Sequence, residues 1–192
     1  MTKNTYYIMR HGESEANTAG IIVSSPGTGI KSFGLTLRGR DQVYESIDNL
    51  PMSEIITIVF SSDFLRARQT ALISADIFGI TEIIEVPELR ERYFGNYDSR
   101  DDSLYEEVWA IDRSQPDEYP HNIESPVSVM QRVSDLINSC EEKFEGEGIL
   151  LVSHGDTLQI IQTLFAALSP FEHRTIPHLK KAEIRRLEKT HC

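Results

Sequence analysis

The chain has 192 residues, 40% hydrophobic and 26% charged, with a formal net charge of −11 at pH 7. That length suits one domain, residues 1–192, with a sizeable core, and the negative field argues against nucleic acid and anionic membranes as partners. No apolar run approaches the ~18 residues of a membrane span, Arg10 cuts short any signal-peptide core, and Cys140 and Cys192 make neither a disulfide framework nor a zinc spacing.

The first expected element is a buried strand, Thr5–Met9, running into Arg10-His11-Gly12, with Gly12 letting the chain turn. A polar loop, Ser14 to Gly34, follows. Thr36 to Leu50 reads as a helix, with an interruption expected near Gly39 and a stop before Pro51. "IITIVF", Ile55–Phe60, is a second strand. Ser61-Ser62 then offers an N-cap for a helix from Asp63 to Phe78, closed by Gly79. Glu82–Val86 is a third short strand, and Leu104–Ile111 an acidic surface helix.

Ser125-Pro126 opens a long helix whose apolar stripe runs through Val129, Val133, Leu136, Ile137 and Cys140. Cys140 on that stripe reads as packing rather than as a reactive thiol. Ile149–Val152 is a fourth strand, followed by a helix through about Leu168, and Ala182–Leu187 is a last strand. Strands alternating with helices give an α/β/α sandwich, a mostly parallel sheet with helices on both faces. Ligands of such sheets bind at the carboxyl ends of the strands.

The strand ends carry a common chemistry. The first ends in Arg10-His11-Gly12, and the second in Ser61-Ser62 with Arg66 in the next helical turn. The third leads to Glu91 beside Arg90 and Arg92, and the fourth ends in Ser153-His154-Gly155. Helix N-termini and arginine forks converging on one edge fit a phosphoryl group. No G-x-x-x-x-G-K-[ST] loop is present, so the ligand is not held as in a nucleotide P-loop. Two histidines without metal-ligand spacing point to covalent chemistry on histidine, with neither metal nor cofactor.

These blocks resemble the histidine phosphatase superfamily, of phosphoglycerate mutase-like fold. "MRHGESEAN", "SSDFLRARQTA", "ELRERYFGNY" and "LLVSHGDTL" resemble its blocks in order and over nearly the whole chain. The resemblance implies His11 as a nucleophile forming a phosphohistidine. It implies Arg10, Arg66 and His154 around the phosphoryl group, Asn17 assisting, Gly155 beside them, and Glu91 as the acid that protonates the leaving oxygen. Nearby arginine charges then keep the His11 imidazole neutral and nucleophilic.

The family holds phosphatases and mutases. The segment between Gly95 and Ser125 is short for a mutase's covering insertion, and Arg113 stands alone where a phosphoglycerate carboxylate asks for paired arginines. Hydrolysis of a small phosphorylated metabolite by a cytosolic enzyme is therefore the expectation. A cofactor-dependent phosphoglycerate mutase and a noncatalytic phospho-ligand module are the alternatives, and the oligomeric state stays open. Tyr97-Asp98-Ser99 and Ile123-Glu124-Ser125 depart from the family's usual forms on the leaving-group side. Trp109 reads as helix packing, Asp101-Asp102 as a solvated face, and His121, His173, His178 and His191 as surface or packing.

Overall fold

The computed structural model describes residues 2–188; His191 and Cys192 lie outside them. Its strands are β1 (Thr5–Arg10), β2 (Ile58–Ser61), β3 (Ile84–Glu85), β4 (Gly148–Ser153) and β5 (Ile184–Leu187). Its helices are α1 (Glu15–Ala19), α2 (Pro26–Gly29), α3 (Leu37–Asp48), α4 (Leu65–Phe78), α5 (Tyr105–Ser114), α6 (Pro126–Lys143) and α7 (Gly155–Phe165). The strands form one sheet in the order β3-β2-β4-β1-β5, parallel except for β5, which runs antiparallel to β1.

The period of two along each strand divides the core between the faces. Tyr6, Ile8, Phe60, Ile149 and Leu151 pack with residues of α6 and α7. Tyr7, Met9, Val59, Leu150 and Val152 pack with residues of α3 and α4. Every residue of central β4 is buried, which is why "GILLVS" shows no polar alternation. Burying each such Leu, Ile or Val stabilises the sandwich by roughly 1.5–3 kcal/mol. A third cluster, Ile22, Phe94, Val108 and Ile123, gives α5 a small core of its own.

Several boundaries differ from expectation for local reasons. β2 begins at Ile58, not Ile55, because its ladder with β4 starts at Ile149, and Ile55 is exposed. β3 shrinks to two residues, matching the stretch of β2 left to pair with it, Phe60 and Ser61. α4 starts at Leu65 behind Phe64, and Ser62 Oγ accepts from the Phe64 N–H at 3.2 Å. α5 runs on to Ser114, and α7 stops at Phe165 before Ala167 takes a left-handed φ of 55°.

α3 is continuous through Gly39, against the expected interruption. A Cβ at Gly39 would collide with the Glu13 carbonyl, and one at Gly12 with the Gly39 carbonyl. Gly12 is not among the positive-φ glycines, so close packing rather than a left-handed turn requires it. This contact seats the loop after β1 against α3. Among the described residues, no helix is long and apolar enough to cross a membrane.

Candidate active site

β1 and β4 run side by side, with Arg10 paired to Ser153, and the His11 N–H continues the ladder onto the Ser153 carbonyl at 3.1 Å. The same register delivers His154, the N-cap of α7, to the same edge. The two imidazoles meet edge to face with centroids 5.1 Å apart, both buried. α4 begins at this edge and sends Arg66 back into it, 4% exposed.

The bonding of His11 defines its reactive atom. Nδ1 lies 2.7 Å from the Gly12 carbonyl, which accepts only a proton-bearing nitrogen. Nε2 therefore carries the lone pair, and it accepts from Arg66 Nε–H at 3.0 Å. Burial first, then the Arg66 and Arg10 charges, holds the His11 pKa well below the ordinary imidazole value. The ring is neutral at neutral pH, and its Nε2 electron pair faces Arg66.

The cradle has N–H groups without protein partners. Arg66 Nη2 donates to the Val23 carbonyl at 2.9 Å, and Arg10 Nη1 to the Leu179 carbonyl at 2.9 Å. Arg66 Nη1, Arg10 Nε and His154 Nδ1 are buried with no partner among the described residues. Buried donors are ordinarily satisfied, so three unsatisfied ones converging on an edge imply a ligand rich in acceptors. His154 Nε2 lies 2.9 Å from Ser62 Oγ. With the serine hydroxyl donating to Nε2, Nδ1 bears the proton and becomes a donor to an anion. Burial, then Arg66, keeps His154 neutral by lowering its pKa.

Glu91 follows a 3₁₀ turn, Pro87–Leu89, that Ser153 Oγ ties to β4 through the Leu89 carbonyl at 2.6 Å. Its Oε1 accepts from Arg92 N–H at 3.0 Å and Thr157 N–H at 3.3 Å. Burial, then the Asp156 carboxylate, raises the Glu91 pKa against the opposing pull of Arg66. Glu91's cationic neighbours in sequence do not pair with it: Arg90 forks onto Asp63 at 2.6–3.2 Å, and Arg92 turns to Asp112.

Arg10, Asn17, Glu91 and Gly155 line one pocket of about 340 Å³, with Ile21, Asp102, Tyr105, Trp109, Asp156, His178 and Lys181. Asn17 Oδ1 also closes the α1 capping box on the Ser14 N–H. A Cβ at Gly155 would stand 3.4 Å from His178 Cε1 and 3.6 Å from Arg10 Nη2, so the glycine keeps that corner open. The pocket corrects one expectation: Trp109 lines it rather than serving only as packing. Asp102 also lines it and is exposed, as its run predicts.

Behind the pocket lies a closed ionic cluster. Arg92, fully buried, binds Asp112 through both terminal nitrogens at 2.9 and 2.8 Å. Arg174 bridges Asp112 at 2.9 Å and Asp156 at 2.6 and 2.7 Å. His173 Nε2 stands 3.5 Å from Asp112. Asp112, Asp156 and His173 have metal-like proximity. Two guanidinium groups already balance the carboxylates, so the donor set does not fit a cation. Arg92 and Arg174 escape sequence reading, because their partners are more than fifteen residues away.

A family model described as "Histidine phosphatase superfamily (branch 1)" matches residues 6–192, and the chain belongs to that superfamily. The chain is 32% identical over 164 residues to "Metal-independent phosphoserine phosphatase" of Arabidopsis thaliana, covering 80% of this chain and 65% of that one. It thus spans about two thirds of that relative's length. It is 31% identical to "Probable phosphoglycerate mutase GpmB" of Erwinia tasmaniensis, covering 95% and 83%. The fold is similar to that of a mycobacterial glucosyl-3-phosphoglycerate phosphatase, with TM-score 0.78, 19% identity and coverage of 95% and 88%. It is also similar to a putative alpha-ribazole-5'-P phosphatase from Escherichia coli, with TM-score 0.73, 24% identity and coverage of 95% and 89%.

Proposed function

We propose that this chain is a phosphatase that hydrolyses small-molecule phosphomonoesters through a phosphohistidine on His11, with Glu91 as proton donor. The observation that carries this reading is the His11 ring, tethered at Nδ1 by Gly12 and faced at Nε2 by Arg66. The Nε2 lone pair attacks phosphorus as the bond to the leaving oxygen breaks, and Glu91 gives that oxygen its proton. Arg10, Arg66 and His154 Nδ1–H hold the three phosphoryl oxygens as charge redistributes. The Asn17 side chain assists from the pocket wall. Water then attacks phosphorus, Glu91 takes its proton, the P–N bond breaks and inorganic phosphate leaves. The Nδ1 proton stays on the ring throughout, donated to the Gly12 carbonyl.

The partner in this reading is a small phosphorylated metabolite and the setting the cytoplasm; the charge of −11 sets nucleic acid and anionic membranes aside. The relatives named as probable phosphoglycerate mutases support a second reading, phosphoryl exchange between phosphoglycerate isomers. Against it, Arg113 is exposed and does not line the pocket, and Arg92 and Arg174 are saturated.

Rapid mixing with a phosphomonoester and intact-mass analysis separates the readings. Hydrolysis predicts an acid-labile, alkali-stable adduct of one phosphoryl group, absent in His11→Ala, with steady release of inorganic phosphate. Isomer exchange faster than phosphate release indicates a mutase. Tight binding with no adduct and no turnover rejects both.

A further inference from the structure

We propose that the substrate's leaving alcohol carries an ammonium group, held by Asp102 beside the aromatic pair Tyr105 and Trp109. This rests on the phosphatase reading and names what hangs from the phosphoryl group. Beyond the cradle, the pocket wall holds three charged side chains. Asp156 is bound by Arg92 and Arg174, and Lys181 Nζ lies 3.5 Å from Glu13. Asp102 has no hydrogen-bonding or ionic partner for its carboxylate among the described residues. The wall it belongs to is therefore net negative.

Tyr105 and Trp109 complete that wall. Their rings stack with centroids 6.3 Å apart and planes 16° apart, and Tyr105 rests edge-on against Phe94 at 5.1 Å. Arg174 lies over Trp109 at 5.5 Å, so both rings are fixed in place. A carboxylate beside aromatic rings is the chemistry that holds an alkylammonium. The phosphoryl end of the same pocket is cationic through Arg10, which lines it. A molecule with a phosphate at one end and an ammonium at the other meets opposite charge at both walls. A carboxylate directed at the α5 wall would face Asp102, and the guanidinium groups nearby, Arg92 and Arg174, are already engaged. The class this selects is the phosphate monoester of an amino alcohol.

Two matched pairs test it. O-Phosphoserine and 3-phosphoglycerate differ by an ammonium in place of a hydroxyl, and O-phosphoethanolamine and 2-hydroxyethyl phosphate differ in the same way without a carboxylate. The expected result is a kcat/KM about tenfold or more higher for the aminated member of both pairs. Asp102→Asn should reduce both ratios to within about threefold. Asp102 is exposed and its side chain supports no bond among the described residues, so that variant should fold. Equal turnover within the pairs, preference for the hydroxyl member, or ratios that survive Asp102→Asn would overturn the proposal. Should no ester be hydrolysed, the phosphatase reading fails by itself. Calorimetric titration of the same four compounds into the wild type then decides the ammonium question, with tighter binding of the aminated members supporting it and equal binding overturning it.

Discussion

Two pairs of arginines lie within one short stretch of the sheet's carboxyl edge, and their surroundings differ. Arg92 and Arg174 are closed into a ring with Asp112 and Asp156, and the terminal nitrogens of both reach carboxylates. Among the described residues, Arg10 and Arg66 have no carboxylate partner, and each keeps a buried N–H unpaired. Burial pulls the Arg66 pKa down to about 10, and the facing Glu91 carboxylate offsets that only in part. Arg92's pKa is raised instead: burial works against its charge, but the Asp112 and Asp156 carboxylates outweigh that. Similar side chains thus serve two purposes. A guanidinium whose charge is answered within the protein holds elements together, and one left unanswered holds a ligand.

The largest expected effect lies in the closed cluster. Arg92→Met leaves Asp112 buried with half its compensation and frees α5 from the segment carrying Glu91. Breaking a buried pair from one side costs about 3–5 kcal/mol, which denaturant unfolding will read. Stability within about 1 kcal/mol of wild type would show that the cluster does not hold the fold. The open pair should behave in the opposite way. Arg66→Met should lower kcat about a hundred- to a thousandfold, near 3–4 kcal/mol of barrier. Its unfolding free energy should stay within about 1 kcal/mol of wild type, because removing a poorly compensated buried charge also removes its desolvation cost. If Arg66→Met costs more in stability than in barrier height, the division between the two pairs is wrong.

The same division explains what was legible in the sequence. Arg10, His11, Arg66, Glu91, His154 and Gly155 stand at strand ends or one helical turn beyond, so alternation of strands and helices was enough to gather them. Ser62 stood in view, but its place suggested a helix cap rather than a contact to His154. The closed cluster depends on distant pairings, Arg92 with Asp112 and Asp156 with Arg174, that no local pattern encodes. His178 and Lys181 were missed for a directional reason. β5 is antiparallel, so the residues before it, not after it, sit at the carboxyl edge of the parallel strands. Tyr105 and Trp109 carried a weak signal, two aromatics on an otherwise acidic helix. The cluster Ile22, Phe94, Val108 and Ile123 that turns this helix toward the pocket is assembled from four separate segments.

The smallest expected effect is at the place where the two regions touch. Asp156 belongs to the closed cluster, with its own pKa lowered to about 2: burial raises it, and Arg174 and Arg92 more than reverse that. Its negative charge in turn raises the pKa of Glu91, after burial itself. Glu91 must hold its proton for the first step, so kcat/KM should fall as pH rises through the elevated Glu91 value. The acid limb, set by His11, should lie below the ordinary imidazole range, because burial and the arginines lower that pKa. Replacing Asp156 by Asn removes a negative charge and leaves the neighbouring arginines in excess, and both changes favour ionised Glu91. The alkaline limb should therefore move to lower pH, by about half a unit to one unit, equivalent to roughly 0.7–1.4 kcal/mol. Glu91→Gln should remove that limb altogether while leaving the acid limb in place. An alkaline limb that moves upward in Asp156→Asn, or persists unchanged in Glu91→Gln, would mean that another group governs the proton. The closed cluster would then hold the fold without tuning the chemistry.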